Sequence, residues 1–198
     1  RNFNANYGGI PKNVWLHVTD KLYQTLPLYS NLQTTGVYIY AEDIRVKSRK
    51  AVIHAESEIK NEYKRAKQVA YKVELIDRDG KTIKVFDGTQ TLVQPGETVT
   101  LKAAAEVDGL HFWSWGYGYL YTVKTSLWVD GRKVDEVATR TGFRKTRFGK
   151  GMIWLNDRVI QRKGFAQRTS NEWPGVGMSV PAWLSDYSNH LMVEGNAN

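Results

Sequence analysis

The sequence predicts a mainly β fold, an antiparallel sandwich of the immunoglobulin-like kind, and three observations carry that expectation. Apolar and polar residues alternate with a period of two through most of residues 37–145. Turn dipeptides, Asp-Gly and Pro-Gly, fall between the alternating runs. The runs number roughly seven over ~100 residues, the strand count and size of such a sandwich. With no cysteine in the chain, the expected likeness is to the architecture and not to antibody domains.

Taken in order, residues 1–35 offer one strand, Val14 to Val18, and then an irregular stretch around Pro27. From Ala51 to Tyr63, Ile53, Ala55 and Ile59 share one face, while His54, Glu56, Glu58 and Lys60 share the other. Val69, Tyr71, Val73 and Leu75 repeat the pattern, and Asp79-Gly80 turns the chain into Thr82–Phe86. Pro95-Gly96 precedes Thr98, Thr100 and Leu101. Tyr121, Val123, Thr125, Leu127 and Val129 line a strand ending at Asp130-Gly131, with a hairpin partner from Lys133 towards Arg140. A second hairpin pairs Met152–Leu155 with Val159–Gln161 through Asn156-Asp157. After Gly164 the chain reads as loop, then as a helix from Val180 to about Glu194.

Composition excludes several classes. The chain has room for one large domain or two small ones. No apolar run approaches the roughly 20 residues of a membrane helix. Without cysteine there are no disulfides, thiolate nucleophiles or cysteine metal sites. The chain starts Arg-Asn-Phe, without Met or a signal peptide, and reads as beginning at a cut. The net charge of +8 is uneven: residues 140–168 carry nine basic side chains (140, 144, 145, 147, 150, 158, 162, 163, 168) against Asp157 alone. Such a stretch can track phosphates. The reading preferred here is a strand face that meets acidic neighbours, with nucleic acid not expected.

Isolated motifs carry little. Asp77-Arg78-Asp79-Gly80 starts like a calcium loop but lacks the rest of the pattern, and a hairpin turn explains it. His17, His54, His111 and His190 are too scattered for metal ligation. Gly116-Tyr117-Gly118 lacks the third glycine of a dinucleotide loop. Trp113, Trp115, Tyr117, Tyr119 and Tyr121 would share one face if extended, as a sugar-stacking row would. The interleaved Gly116 and Gly118 favour a bend, with several rings packed between structural elements.

Three ordered segments resemble family 2 glycoside hydrolases, the β-galactosidase and β-mannosidase group. Gly8-Gly9-Ile10-Pro11-Lys12-Asn13-Val14-Trp15-Leu16 is similar to the stretch ending the amino-terminal jelly roll of those enzymes. Trp113-Ser114, Tyr119-Leu120-Tyr121, Val129-Asp130-Gly131 and Thr141-Gly142-Phe143-Arg144-Lys145 resemble the signature across the last strands of their immunoglobulin-like domain. Ile153-Trp154-Leu155-Asn156-Asp157-Arg158-Val159-Ile160, then Arg162-Lys163-Gly164, resembles the hairpin leading into their catalytic (β/α)8 barrel. The signature's proline after Trp-Ser is Trp115 here, and a later one is Gly118. At the first barrel strand Phe165-Ala166-Gln167-Arg168 replaces a Gly-x-Asn-Arg-His pattern.

The resemblance implies a tail of the jelly roll with its linker over 1–35, the sandwich over 36–147, and the hairpin and first strand–helix unit of an incomplete barrel over 148–198. It implies a retaining enzyme whose acid/base and nucleophile glutamates follow barrel strands four and seven, beyond this sequence. Such carboxyls stand about 5–5.5 Å apart. The chain is therefore expected to be a non-catalytic structural segment of a β-galactosidase-like hydrolase. Glu172, in the family's Asn-Glu dipeptide with Asn171, stands too near Gly164 to be the acid/base. Gln167, Arg168, Glu172 and Trp173 are the candidate sugar contacts.

The implied partners are the jelly-roll and barrel domains of a parent enzyme and, through it, a carbohydrate. No cofactor, metal, nucleic acid or membrane is expected, and a homo-oligomer is compatible with the sequence. The family alone implies a secreted or periplasmic address. Residues from about 165 onward are expected to be poorly anchored, because one strand and one helix cannot bury a barrel core. The alternative from another class is a stand-alone carbohydrate-binding or adhesion module, for which the aromatic row, Trp173 and Trp183 speak.

Overall fold

Alternation turns directly into strands. The structure, a computed structural model, describes residues 14–27, 33–165 and 181–198. These fall in two compact units, Val18–Val159 and the described residues on either side of it. In the first, β1 (Leu22–Gln24), β2 (Val37–Arg45), β3 (Lys50–Asn61) and β7 (Thr98–Val107) form one antiparallel sheet, with β3 central between β7 and the β1/β2 edge. The second sheet holds β4 (Lys67–Ile76), β5 (Thr82–Asp87), β6 (Thr91–Val93), β8 (Tyr121–Val129) and β9 (Arg132–Thr141), in the order β5-β4-β8-β9 with β6 also on β4. A separate three-stranded meander comprises β10 (Thr146–Gly149), β11 (Met152–Leu155) and β12 (Arg158–Ile160).

The inward faces of β3, β4, β7 and β8 supply most of the core. Ile53, Ala55 and Ile59 of β3 are buried, with Val69, Tyr71, Val73 and Leu75 of β4 and Tyr121, Val123 and Leu127 of β8 in the same cluster. Three hairpins turn on two residues with positive φ: Asp130-Gly131 (51° and 76°), Lys150-Gly151 (51° and 70°) and Asn156-Asp157 (49° and 64°). Paired positive φ marks the type I′ turn, whose twist matches that of its strands.

The inward face is not wholly apolar. Gln24, Ser57 and Thr125 are buried in it. The Gln24 amide oxygen accepts from the Ser57 hydroxyl (2.9 Å) and the Thr125 hydroxyl (2.6 Å). Its nitrogen donates to the Thr125 carbonyl (3.1 Å) and to Asp135 (3.2 Å). The Tyr71 hydroxyl lies 2.7 Å from that of Ser57. Burial pushes the Tyr71 phenol up to about 12. This network joins the two sheets, and it fixes β1 in place, since the Gln24 amide N–H also binds Asp135 at 2.8 Å.

One expected strand is corrected. Residues 14–18 have no regular structure, and Val14, Trp15, Leu16 and Val18 are exposed. A strand needs a neighbour, and the edge of β3 at Ile59–Asn61 is taken instead by Leu22–Gln24. In the second unit the helix α1 (Ala182–Glu194) begins two residues later than the expected Val180, immediately after Pro181. Proline fixes an extended-compatible φ and lacks an N–H, which suits a helix boundary. Leu184 is buried, and the chain end returns to residues 161–163, where Asn198 donates to the Gln161 carbonyl at 2.9 Å.

Candidate functional site

The second and third signature segments converge on one corner of the sandwich unit. Ser114 to Tyr117 closes a tight turn, with both backbone bonds between Ser114 and Tyr117 made (2.9 and 3.0 Å) and Gly116 at φ 72°. The bend favoured for the aromatic row is therefore present. It splits the row: Trp115 and Tyr117 stand exposed at the tip, whereas Tyr119 and Tyr121 are buried.

Gly142 explains its own residue type. A Cβ there would stand 3.0 Å from Trp113 Cβ and from the Tyr119 carbonyl oxygen, and 3.1 Å from Leu120. A side chain at Gly142 would force the turn to give by a few tenths of an ångström. Next to it Phe143 is buried, its carbonyl accepts from the Trp113 N–H (2.8 Å), and the Arg144 guanidinium covers the Trp113 ring at 5.4 Å.

Asn156 joins the meander to this corner. Its side-chain oxygen accepts from the Lys145 N–H (3.0 Å), its amide nitrogen donates to the Trp113 carbonyl (2.9 Å), and its own N–H binds the Lys145 carbonyl (2.9 Å). Lys145 also pairs with Asp157 at 2.8 Å. Asn156→Ala is expected to cost about 1–2 kcal/mol, because two backbone groups lose their partner. Urea unfolding followed by tryptophan emission checks this.

A third cluster surrounds His111. Arg49 Nη2 lies 2.7 Å from His111 Nε2, and the Tyr117 hydroxyl lies 2.7 Å from Nδ1. Arginine can only donate, so Nε2 accepts and Nδ1 carries the proton and donates to Tyr117. The ring stacks on Tyr119 at 4.6 Å, and the His111 N–H donates to the Tyr121 hydroxyl at 2.7 Å. Burial, with Arg49 and Arg78 nearby, lowers the His111 pKa. Burial pushes the Tyr121 phenol up to about 12.

The sign of the pH effect follows. The unfolded chain protonates this imidazole near its ordinary value, about 6.5, before the folded chain does. The stability owed to neutral His111 is full above that value and falls as pH drops through the lowered folded pKa. Between pH 7.5 and 5 the urea midpoint should fall more steeply for the unaltered chain than for His111→Gln, and parallel curves would contradict the assignment.

Clefts open on the described surface of this unit. One of about 790 Å³ is lined by Ala41, Glu42, Asp43, Ile44, Arg45, Arg144, Lys145 and Thr146. Its two carboxylates are exposed neighbours among three cations. That is not the arrangement of an acid/base pair, in which burial keeps one carboxyl protonated. Another cleft, about 420 Å³, lies on the outer face of the second sheet. No group of three or more metal-ligating side chains occurs among the described residues. Gln167, Arg168, Glu172 and Trp173, with Asn171, lie outside the described residues.

Sequence reasoning missed the buried polar network and the Asn156 joint. Ser57 and Thr125 occupy inward positions of alternating strands, and that break in the pattern was the available signal. Nothing in the sequence paired them with Gln24.

Comparison with known proteins gives this corner a family. The model for "Glycosyl hydrolases family 2" matches residues 37–144. A β-glucuronidase of Formosa agariphila is 32% identical over 197 residues, covering 99% of this chain and 20% of that protein. Among solved structures, a β-glucuronidase from glycoside hydrolase family 2 is 30% identical, with a TM-score of 0.82, and covers 91% of this chain and 19% of that one. A Bacteroides uniformis β-glucuronidase, 20% identical with a TM-score of 0.76 over 91% of this chain and 21% of its own, shares the fold. This chain spans about a fifth of the length of the relatives it matches. The match across the sandwich strands, β2 to the Gly142–Arg144 strand end, places this chain in the glycosyl hydrolases of family 2.

Proposed function

We propose that this chain is a non-catalytic structural segment of a larger retaining β-glycoside hydrolase of carbohydrate metabolism, and that the parent acts on β-glucuronides. The observation that supports the structural role is Asn156. The signature residues around it spend their bonding capacity on one another, which is the work of a joint and not of an open sugar site. The meander beyond it looks unfinished in isolation. Phe148 is 71% exposed, Met152 and Val159 are exposed, and Trp154 Nε1 is buried with no acceptor among the described residues. Arg147 lies over that indole at 4.3 Å. A neighbouring domain covering Phe148, Met152 and Val159 would complete this surface, and the jelly-roll and barrel domains of the parent are the proposed occupants.

The sugar preference rests on the names of the relatives. Those named at 30% identity or above are β-glucuronidases, which favours β-glucuronides over the β-galactosides expected from the sequence. A substrate panel on the full-length parent tests it. Release from nitrophenyl β-glucuronide should exceed that from the β-galactoside and β-mannoside by more than tenfold. A preference for either of the others overturns the proposal for the sugar.

A further inference from the structure

The cleft on the outer face of the second sheet is built by the strands themselves. Gln68, Ala70 and Lys72 alternate outward along β4, while Val69, Tyr71 and Val73 turn into the core. Ala70 stands directly opposite Trp128 of β8. The indole and this methyl group both line the cleft, and the Lys72 ammonium lies over one side of the ring, which a stacked ligand would share or displace. Gln90, between β5 and β6, forms one wall with Gln68, and the Asp130-Gly131 turn closes an end.

Two contacts hold the indole on the outer face. Its N–H donates to the Ser126 hydroxyl at 2.9 Å, fixing the ring in plane, and the Lys72 ammonium sits 5.0 Å from its centroid. Trp128 is only half-buried, whereas the inward Leu127 and Val129 carry the core contacts. Around the ring stand two side-chain amides, each able to donate and accept, and one cation balanced by one carboxylate, Asp130. A flat apolar face bordered by convergent hydrogen-bonding groups without net charge fits a ring that is apolar on its faces and hydroxylated at its rim. The volume, about 420 Å³, lies within the range of small-molecule sites, roughly 300–1,000 Å³.

We infer that this cleft is a carbohydrate-binding subsite taking an uncharged pyranose unit of a glycan, stacked on Trp128 and hydrogen-bonded by Gln68, Gln90 and Asp130. Charge selects the ligand. An acidic sugar would bring a second carboxylate beside Asp130, and Asp87 stands opposite Lys72 on β5. The site lies wholly on the outer face of one sheet, so it does not depend on the activity or sugar preference proposed for the parent.

Affinity electrophoresis of the 198-residue chain tests it, in gels containing β-1,4-galactan, β-mannan or mixed-linkage β-glucan, with polygalacturonate as the acidic comparator. In 0.5 M salt, which screens the chain's net charge of +8, at least one neutral glycan should retard the chain several-fold more than polygalacturonate, because no ion pair carries that retardation. Trp128→Ala should abolish it, and the double substitution Gln68→Ala/Gln90→Ala should reduce it at least fivefold while leaving the urea midpoint unchanged. Absence of retardation by every neutral glycan overturns the inference. So does stronger retardation by polygalacturonate in 0.5 M salt, or retardation by a neutral glycan that survives both sets of substitutions.

Discussion

Gln24→Ala is expected to lower the stability of the sandwich by about 3 kcal/mol, more than most single substitutions cost. Gln24 is 5% exposed, and its side chain makes four hydrogen bonds, three of them to the other sheet. Truncation removes the acceptor for Ser57 and Thr125 and the donor to Asp135 in a place water reaches poorly. Each buried group left unpaired costs about 1–3 kcal/mol, and Ser57 keeps only Tyr71 while Thr125 keeps a 3.4 Å bond to the Val137 carbonyl. Urea titration with an unchanged slope should show the midpoint moving down. A loss below about 1 kcal/mol would mean the network is solvated and does not bind the sheets together. Gln24→Glu should cost more still, because it sets a second carboxylate against Asp135 without the amide donor.

Gly88→Ala should be nearly as damaging, by about 2–4 kcal/mol, for a steric reason. Gly88 follows β5 in one sheet, and its N–H donates to the Tyr71 carbonyl at 2.9 Å. An added Cβ would press into the Lys102 carbonyl oxygen of the other sheet and stand 3.0 Å from the Tyr71 ring. Lys102 cannot withdraw freely, because it is paired with Glu56 within the longest ladder of its sheet. The two sheets meet here backbone to backbone, and only a residue without a side chain permits it. Gly80→Ala is the matched comparison. That position has open space around its Cβ but φ of +85°, so only backbone strain of about 1 kcal/mol is added. Equal melting curves for the two variants would contradict the steric argument.

Most of the sandwich was legible because β3, β4 and β8 each bury one face, and burial writes itself as alternation. Ile53, Ala55 and Ile59, which share one face in the sequence pattern, are all fully buried. The Asp130-Gly131 and Asn156-Asp157 hairpins were legible because two-residue turns demand positive φ, which selects those residues. The turn between β2 and β3 carries no such mark: Arg49 adopts φ 57° there, and its guanidinium is held by the Gly109 and Leu110 carbonyls. That stabilisation comes from residues about 60 positions away, and no local pattern encodes it. The strand β10 was hidden for a similar reason, since Thr146–Gly149 gains its register only by pairing with β11.

The corner around Asn156 was legible as a motif and not as a geometry. Trp113, Gly142 and Asn156 were singled out by resemblance, but the reasons for them are contacts between distant segments. Gly142 makes room for Trp113, and Asn156 bonds a carbonyl 43 residues before it. The Trp128 cleft was invisible for the opposite reason. Its residues are ordinary on an outward strand face, and only the pairing of Ala70 with Trp128 gathers them.

The most direct test of the central claim is turnover by the 198-residue chain itself, measured on nitrophenyl β-glucuronide, β-galactoside and β-mannoside. A structural segment releases no nitrophenol above the buffer blank, while the full-length parent hydrolyses the β-glucuronide. Turnover by the chain alone, abolished by Glu172→Gln, would contradict the account and place a catalytic carboxylate within this sequence.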